Sequence, residues 1–117
     1  MNHLLILNDP SDGTERRFNG LRMDHALAKN DAQAEVTVFL MAHAVLCAKA
    51  GRKTPEGYDN LERMIGRVLS SKGRVLMCAT CMEARGLARA DMMEGPTRST
   101  MDELAQAALA ADKVLVS

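Results

Sequence analysis

A chain of 117 residues, of which 47% are hydrophobic and 26% charged, has the size and composition of one folded domain with a single core. Fifteen Lys and Arg residues balance fifteen Asp and Glu residues, so bulk charge attracts neither a nucleic-acid backbone nor an anionic membrane. An aromatic content of 3% without Trp also argues against the stacking surfaces of single-strand binders, and we expect one domain over residues 1–117 and no nucleic-acid partner.

The first part of the chain predicts a strand, a loop and a helix. Residues 3–7 form a continuous apolar run that is typical of a strand buried on both faces. Turn-forming residues 8–13 follow, and Thr14 can cap a helix that runs to about Asn30. The inward face of this helix would use Phe18, Leu21, His25 and Ala28.

A second strand is predicted over Glu35–Leu40, which contains a β-branched run. The segment Met41–Ala50 behind it predicts a short helix that is apolar almost all round. We therefore expect it to be buried on more than one side, either beneath a neighbouring element or in a subunit contact. Gly51 ends this helix, and residues 52–57 form a polar loop.

The next helix is predicted from its apolar spacing. Asp59 and Glu62 have the character of a capping box, and apolar residues recur at offsets 0, 3, 4, 7 and 8 behind them. These apolar positions are Leu61, Met64, Ile65, Val68 and Leu69. Gly73 ends the helix, and Arg74–Met77 forms a third strand that leads directly into Cys78.

The remaining residues complete the alternation. A helical turn is predicted over Glu83–Gly86, and a weak fourth strand within Ala88–Gly95. Thr100 and Glu103 form a second capping box, in front of a helix with the same apolar spacing. Val114–Val116 then closes the chain as a last buried strand.

Repeated strand–helix alternation in one short domain predicts a three-layer α/β fold, in which helices cover both faces of a flavodoxin-like parallel sheet of about five strands. Ligands bind such sheets beyond the carboxyl ends of the strands. With a flavodoxin-like strand order, the loop that holds Asn8, Asp9 and Ser11 would flank the same site as the loop after the third strand. We therefore include Asn8 and Asp9 among the candidate binding residues, although turn residues are expected there for structural reasons alone.

Two thiols, Cys78 and Cys81, lie where the third strand meets a helix. Unpaired N–H groups at the start of a helix stabilise a thiolate, so the pKa of a cysteine there can fall below its ordinary value. The N–H groups of residues 79–82 and the guanidinium of Arg85 could hold an anionic sulfur. By spacing alone the pair could carry a persulfide, form a disulfide or bind a metal.

The spacing Cys78-x-Thr80-Cys81-x-x-x-Arg85-Gly86 resembles that of the DsrE/DsrF-like sulfur-relay family, and nearly the whole chain is similar to the YchN-like branch of that family. Further matching segments are Phe18-Asn19, Leu21-Arg22, Phe39-Leu40-Met41, Ala44-Val45, Glu56-Gly57-Tyr58, Glu103-Leu104-Ala105 and Ala111-Asp112-Lys113-Val114-Leu115. The resemblance implies a small parallel α/β subunit that assembles into a homo-oligomer, a trimer or hexamer.

In the relay members a cysteine accepts sulfane sulfur as a persulfide and passes it on, and the resemblance assigns this role to Cys78. Thr80 and Arg85 are candidate supporting residues, the implied partners are sulfur donor and acceptor proteins, and we expect no cofactor. Relay members often lack the second thiol that Cys81 supplies. Because a thiol three residues away can attack a persulfide on Cys78 and expel hydrosulfide, Cys81 either resolves the persulfide or only tunes Cys78.

Three other interpretations stay open. A thioredoxin-like dithiol redox protein uses the same motif, although the aromatic and proline neighbours common in that motif are missing here. His43 and Cys47 could join Cys78 and Cys81 as zinc ligands, but a buried Cys47 in an apolar helix is the simpler interpretation, and we expect no metal. The third interpretation is a nonenzymatic assembly or regulatory protein.

The cysteine count and the apolar segments bear on location. Three cysteines are an odd number, and free or catalytic thiols suit a reducing compartment. No apolar stretch reaches the roughly 20 residues of a spanning helix, and the N-terminus has no signal-like pattern. We therefore expect a cytoplasmic protein without a membrane partner.

Overall fold

A computed structural model describes residues 1–8, 33–50 and 61–116, together with residues 22, 23, 26, 27, 29 and 30. Five parallel strands form one sheet: β1 Asn2–Leu7, β2 Glu35–Leu40, β3 Arg74–Cys78, β4 Thr97–Ser99 and β5 Lys113–Val116. The described helices are α1 Leu61–Ser70, α2 Ala79–Ala84 and α3 Met101–Ala110, with 3-10 helices at Ala42–Ala48 and Arg89–Asp91. The predicted α/β fold with a five-stranded parallel sheet is confirmed.

The strand order is β4-β3-β2-β1-β5. It differs from the predicted flavodoxin-like order, 2-1-3-4-5, because β1 pairs with β2 and β5 and not with β3. The connections from β1 through β4 all step in one direction, and the connection from β4 to β5 steps back across the sheet. Right-handed crossovers then put α3 on the face of the sheet opposite α1.

The core lies around the central strands, which have continuous apolar sequences because elements pack on both of their faces. Residues 38–40 of β2 are fully buried, and residues 75–78 of β3 are buried throughout. The predicted apolar spacing of α1 is confirmed at Met64, Ile65 and Val68, which are all buried in the same core. The strand that ends at Cys78 is therefore fixed on both sides of the sheet.

The sequence predicted the fourth strand within Ala88–Gly95, but the structure has this strand at Thr97–Ser99. Residues 89–91 instead form a 3-10 turn, which is closed by a hydrogen bond from the Ala88 N–H to Asp91 Oδ2 at 2.8 Å. β4 is a short edge strand of three polar residues that pairs only with β3. Because such an edge strand needs no apolar face, its sequence has no alternation that predicts it.

The last strand is present, but the prediction that it is buried is wrong for this chain alone. β5 is an edge strand beside β1, and Val114, Leu115 and Val116 are all exposed. Helix α3 buries Leu104 but leaves Leu109 87% exposed. Both elements thus leave apolar side chains uncovered.

The predicted cap of α3 is confirmed, because Thr100 Oγ1 accepts a hydrogen bond from the Glu103 N–H at 3.2 Å. The helix predicted after β2 is present as the 3-10 helix Ala42–Ala48. Since a 3-10 helix turns by about 120° per residue, His43 and Cys47 do not share a face. Accordingly, His43 is exposed and Cys47 is fully buried.

Several predictions fall on residues that the structure does not describe. The described residues between 22 and 30 have helical backbone, in agreement with a helix there. The cap Thr14, the positions Phe18, Leu21, His25 and Ala28, the loop residues Asp9 and Ser11, the loop 52–57 and the capping residue Asp59 lie outside the described residues. Among the helices that are described, none has the length and apolar character needed to cross a bilayer.

Candidate functional site

The site is built around Cys78, which is both the last residue of β3 and the cap of α2. Its backbone is extended, with φ −62° and ψ 115°, so its side chain turns back over the first turn of the helix. Cys78 Sγ accepts a hydrogen bond from the Cys81 N–H at 3.4 Å and lies 3.3 Å from Thr80 Oγ1. The residue is only 3% exposed.

This environment favours the thiolate of Cys78. Burial raises the pKa of the Cys78 thiol, because it disfavours the charged form. Hydrogen bonds from the thiol and N–H of Cys81 and from Thr80 outweigh burial, so the pKa lies below its ordinary value. Sulfur in the thiolate form is a nucleophile, which makes Cys78 the more reactive of the two cysteines in this motif.

Cys81 has a different set of neighbours. Burial raises the pKa of its thiol, and the hydrogen bond to Cys78 and the charge on Cys78 raise it further. The N–H of Ala42, which donates to Cys81 Sγ at 3.3 Å, and the charge of Arg85 act in the opposite direction. The net pKa lies above its ordinary value, so Cys81 is a thiol that donates to the Cys78 thiolate.

Arg85 is held beside Cys81 by two hydrogen bonds. Its Nη1 donates to the carbonyl oxygen of Cys81 at 3.0 Å, and its Nε donates to His43 Nδ1 at 3.3 Å. His43 and Ala42 come from the corner between β2 and the following 3-10 helix, where Ala42 has a φ of 50°. The site therefore joins the ends of the neighbouring strands β2 and β3.

A surface cleft of about 330 Å³ opens beside Thr80, two residues after Cys78. It is lined by Ala79, Thr80, Glu83, Ser99, Thr100, Met101 and Asp102. Ser99 is the strand partner of Cys78 in the β3–β4 register and is 1% exposed, and its Oγ has no hydrogen-bond partner among the residues that the structure describes. Glu83 in the same cleft pairs with Arg98 at 3.0 Å. Through Thr80, the cleft reaches the neighbourhood of the reactive sulfur.

The structure brings together four of the six candidate residues, namely Cys78, Thr80, Cys81 and Arg85. Asn8 follows β1, which is separated from β3 by β2. Two strand spacings of about 4.8 Å separate the backbones of β1 and β3 by roughly 10 Å, so the strand that precedes Asn8 is not adjacent to the strand that ends at Cys78. Asp9 lies outside the described residues.

The four residues considered as zinc ligands do not converge. Cys78 and Cys81 are not joined by a disulfide, and His43 Nδ1 accepts from Arg85 while Cys47 is buried in the core. Across the described residues, no group of three or more His, Cys, Asp or Glu side chains is arranged to hold a metal ion.

The sequence did not indicate Ala42 or Ser99 as site residues. Ala42 contributes a backbone N–H, which any residue except proline can supply, so its identity carries no signal. Ser99 belongs to the strand that the sequence misplaced, and its proximity to Cys78 depends on the β3–β4 register. His43 was considered only as a zinc ligand, and its contact with Arg85 spans 42 residues of sequence.

Comparisons with known proteins agree with this fold. The model of the DsrE/DsrF-like family matches residues 1–117. Protein YchN of Escherichia coli K12 is 35% identical over 112 residues, which cover 96% of this chain and 95% of that protein. An uncharacterised protein of Methanopyrus kandleri is 28% identical over 111 residues, or 95% of this chain and 89% of that protein.

Two solved structures extend the comparison. The crystal structure of the YchN protein from Escherichia coli superposes with a TM-score of 0.91 at 35% identity and covers 100% of both chains. A protein of unknown function from Methanobacterium thermoautotrophicum superposes with a TM-score of 0.83 at 11% identity, over 99% of this chain and 98% of that chain, which shows a common fold. The chain therefore belongs to the DsrE/DsrF-like family and, within it, to the YchN-like branch.

Proposed function

We propose that this protein accepts sulfane sulfur as a persulfide on Cys78 and transfers it to an acceptor. The observation that carries the proposal is the set of hydrogen bonds to Cys78 Sγ, which come from Thr80 and from Cys81 and favour the thiolate of a nearly buried cysteine. Membership of the DsrE/DsrF-like family, which suggests sulfur relay, supports the same function.

The chemistry needs no cofactor. The Cys78 thiolate attacks the outer sulfur of a donor persulfide, the S–S bond of the donor breaks, and the donor leaves as a thiolate. Cys78 then carries the sulfur as a persulfide, and an acceptor thiolate removes that sulfur by the same reaction in reverse. Donor and acceptor are proteins with a cysteine that can enter the cleft beside Thr80.

We also propose that the chain works as a homo-oligomer, a trimer or hexamer. Support comes from the uncovered apolar side chains of β5 and α3, among them Leu109 at 87% and Val116 at 68% exposure. An edge strand with unpaired backbone groups and apolar side chains is a surface that proteins usually cover. Free thiols fit a reducing compartment, which supports a cytoplasmic location.

A second candidate function is dithiol–disulfide exchange, which is favoured by the hydrogen bond between the thiols of Cys78 and Cys81. In this reaction the pair would oxidise to a disulfide without any sulfur being carried. Rapid insulin reduction with a dithiol reductant, and no persulfide under any donor, would select this function. A nonenzymatic assembly role is the alternative if blocked cysteines leave both oligomer and partner binding intact.

The proposed function is tested by intact mass spectrometry after incubation with a sulfurtransferase and thiosulfate. We expect an adduct of about 32 Da per added sulfur on the Cys81→Ser protein, in which Cys78 cannot form the internal disulfide. The Cys78→Ser protein should show no adduct, and the matched control Cys47→Ala should load as the wild type does, since Cys47 is buried in the core. If no donor produces the adduct, the proposed carrier function is wrong.

A further inference from the structure

Cys81 is surrounded by groups that stabilise an anion, although Cys78 is the cysteine that the motif itself activates. The Ala42 N–H donates to Cys81 Sγ at 3.3 Å, and Arg85 donates to the Cys81 carbonyl oxygen at 3.0 Å. The positive charge of Arg85 favours the thiolate of Cys81. The Ala42 contact comes from a distant part of the chain, whereas Arg85 caps the helix that contains Cys81.

The backbone at Ala42 is strained in a way that serves this contact. Ala42 has a φ of 50°, in the left-handed region that costs a non-glycine residue roughly 1 kcal/mol or more. In this conformation the Ala42 N–H donates to Cys81 Sγ, across 39 residues of sequence. Such strain persists where the surrounding structure holds it, and here β2 and the buried 3-10 helix hold it on either side.

His43 orients the guanidinium group of Arg85. Its Nδ1 accepts a hydrogen bond from Arg85 Nε at 3.3 Å, while Arg85 Nη1 is bonded to the Cys81 carbonyl. Two hydrogen bonds at different nitrogens fix the plane of the guanidinium group beside Cys81. The corner residues 42 and 43 therefore supply both an N–H donor and an anchor for positive charge to the second cysteine.

We infer that Cys81 is a resolving thiol, and that the Ala42 N–H and Arg85 form the subsite in which its thiolate attacks the persulfide on Cys78. The inference rests on the proposed persulfide of Cys78. It adds an activity to sulfur carriage, namely the release of the carried sulfur as hydrosulfide.

The step balances without an external oxidant. The Cys81 thiolate attacks Cys78 Sγ of the persulfide, a Cys78–Cys81 disulfide bond forms, and the bond to the outer sulfur breaks with both of its electrons going to hydrosulfide. The sulfane sulfur is reduced, and the two cysteines are oxidised. A dithiol reductant then restores both thiols by disulfide exchange and leaves as its own disulfide.

The proton of the Cys81 thiol must pass to solvent water before the attack. In the resting protein, Cys81 donates to the Cys78 thiolate. Once Cys78 Sγ carries a second sulfur, it is no longer a thiolate, so this hydrogen bond loses its charged acceptor. The contacts from Ala42 and Arg85 remain and favour the Cys81 thiolate, which links release to the loading of Cys78.

The test is a single-turnover experiment on the full chain. The protein is loaded with a sulfurtransferase and thiosulfate, separated from donor, and followed anaerobically by intact mass spectrometry and a sulfide assay. We expect the wild type to lose its adduct of about 32 Da, to form a species about 2 Da lighter than the dithiol, and to release one hydrosulfide per adduct. The Cys81→Ser protein should keep the adduct and release none.

A second variant acts on the subsite without removing the thiol. Arg85→Gln should slow hydrosulfide release by about fivefold, because a charge near the developing thiolate is lost. The matched control is Arg89→Gln, since the guanidinium of Arg89 bonds the carbonyl oxygens of Met92 and Met93 and not the cysteines. The Arg89→Gln protein should load with sulfur to the wild-type extent, and the release rate of each variant is expressed per loaded Cys78.

The outcomes separate the two proposals. If no variant takes up sulfur, the persulfide function itself fails. If the Cys81→Ser protein and the wild type both load and both keep the adduct, the carrier function stands and the resolving role of Cys81 is overturned. Equal release from Arg85→Gln and Arg89→Gln overturns the subsite formed by Arg85.

Discussion

The hydrogen bond between the Thr80 hydroxyl and Cys78 leads to a quantitative prediction about the reactivity of Cys78. Thr80 Oγ1 lies 3.3 Å from Cys78 Sγ, and Thr80→Val removes this hydrogen bond while nearly conserving side-chain volume. A hydrogen bond to a charged group contributes about 1.5 to 3 kcal/mol, and exposure of Thr80 reduces that to about 1 kcal/mol. The loss corresponds to about fivefold less thiolate at a pH below the pKa of Cys78.

The effect of Thr80→Val on the alkylation rate of Cys78 should change direction with pH. The loss of the hydrogen bond raises the pKa of Cys78, which makes its thiolate rarer at low pH but more basic. Since nucleophilicity rises with basicity with a coefficient of about 0.4 to 0.5, each thiolate becomes about twofold more reactive. Thr80→Val should therefore react about 2.5-fold more slowly than wild type at low pH and about twofold faster once both proteins are fully ionised.

The assay is the initial rate of iodoacetamide alkylation, measured on the peptide that contains Cys78 so that Cys47 and Cys81 do not contribute. Thr80→Ser is the matched control, because it keeps the hydroxyl and should follow the wild-type curve. The two rate profiles should cross as the pH rises. Profiles that stay parallel, or a Thr80→Ser profile equal to that of Thr80→Val, would refute the hydrogen-bond argument.

Three further predictions concern stability and assembly. Gly73→Ala puts a Cβ 2.7 Å from the side chain and carbonyl oxygen of Val68, so urea unfolding should show a free energy of unfolding that is lower by about 1 to 3 kcal/mol. The control Gly66→Ala meets no atom within 4 Å and should raise the free energy of unfolding by about 0.5 to 1 kcal/mol. Ser99→Ala removes a buried hydroxyl that has no hydrogen-bond partner within the described part of the chain, so the free energy of unfolding should stay equal or rise by about 1 kcal/mol. A loss above about 1 kcal/mol would show an unseen hydrogen bond. Leu115→Glu on β5 should shift the mass in light scattering from oligomer to monomer, and an unchanged oligomer would remove β5 from the proposed interface.

Elements with strong periodicity could be predicted from the sequence, because burial leaves a regular pattern. Helix α1 repeats its apolar residues on one face, and Met64, Ile65 and Val68 pack as expected. Strand β2 ends in a continuous apolar run over residues 38–40 because it lies inside the sheet, next to β1 and β3. β4 has no such pattern, since it is three residues long and lies at an edge.

Strand order could not be predicted in the same way. The alternation of strands and helices is the same for the flavodoxin-like order and for the order observed, so the sequence pattern does not distinguish them. The difference moves Asn8 away from Cys78, because β2 lies between their strands. It also brings Ala42 beside Cys81, since Ala42 lies two residues after the end of β2, the strand next to β3.

The contacts within the candidate site also differ in whether the sequence could predict them. Cys78, Thr80 and Cys81 are near each other because they share one helical turn, and a sequence motif is enough to show it. The contacts of Cys81 with Ala42 and of Arg85 with His43 span 39 and 42 residues, and they depend on β2 and β3 being neighbours. Short-range contacts were therefore predictable, and the contacts that distinguish the two cysteines were not.

The unequal properties of the two cysteines follow from their positions at one strand-to-helix corner. Cys78 is the cap, so its sulfur receives an N–H and a hydroxyl from the turn that it starts. Cys81 is inside that turn and reaches the end of the neighbouring strand, so its sulfur receives an N–H from Ala42 instead. A thiol at the first position is activated for attack on a donor, and a thiol at the second is supported by Ala42 from the neighbouring strand end and by Arg85 at the end of its own helix. Because Arg85 lies beside Cys81, its loss should slow the release of sulfur from each loaded Cys78.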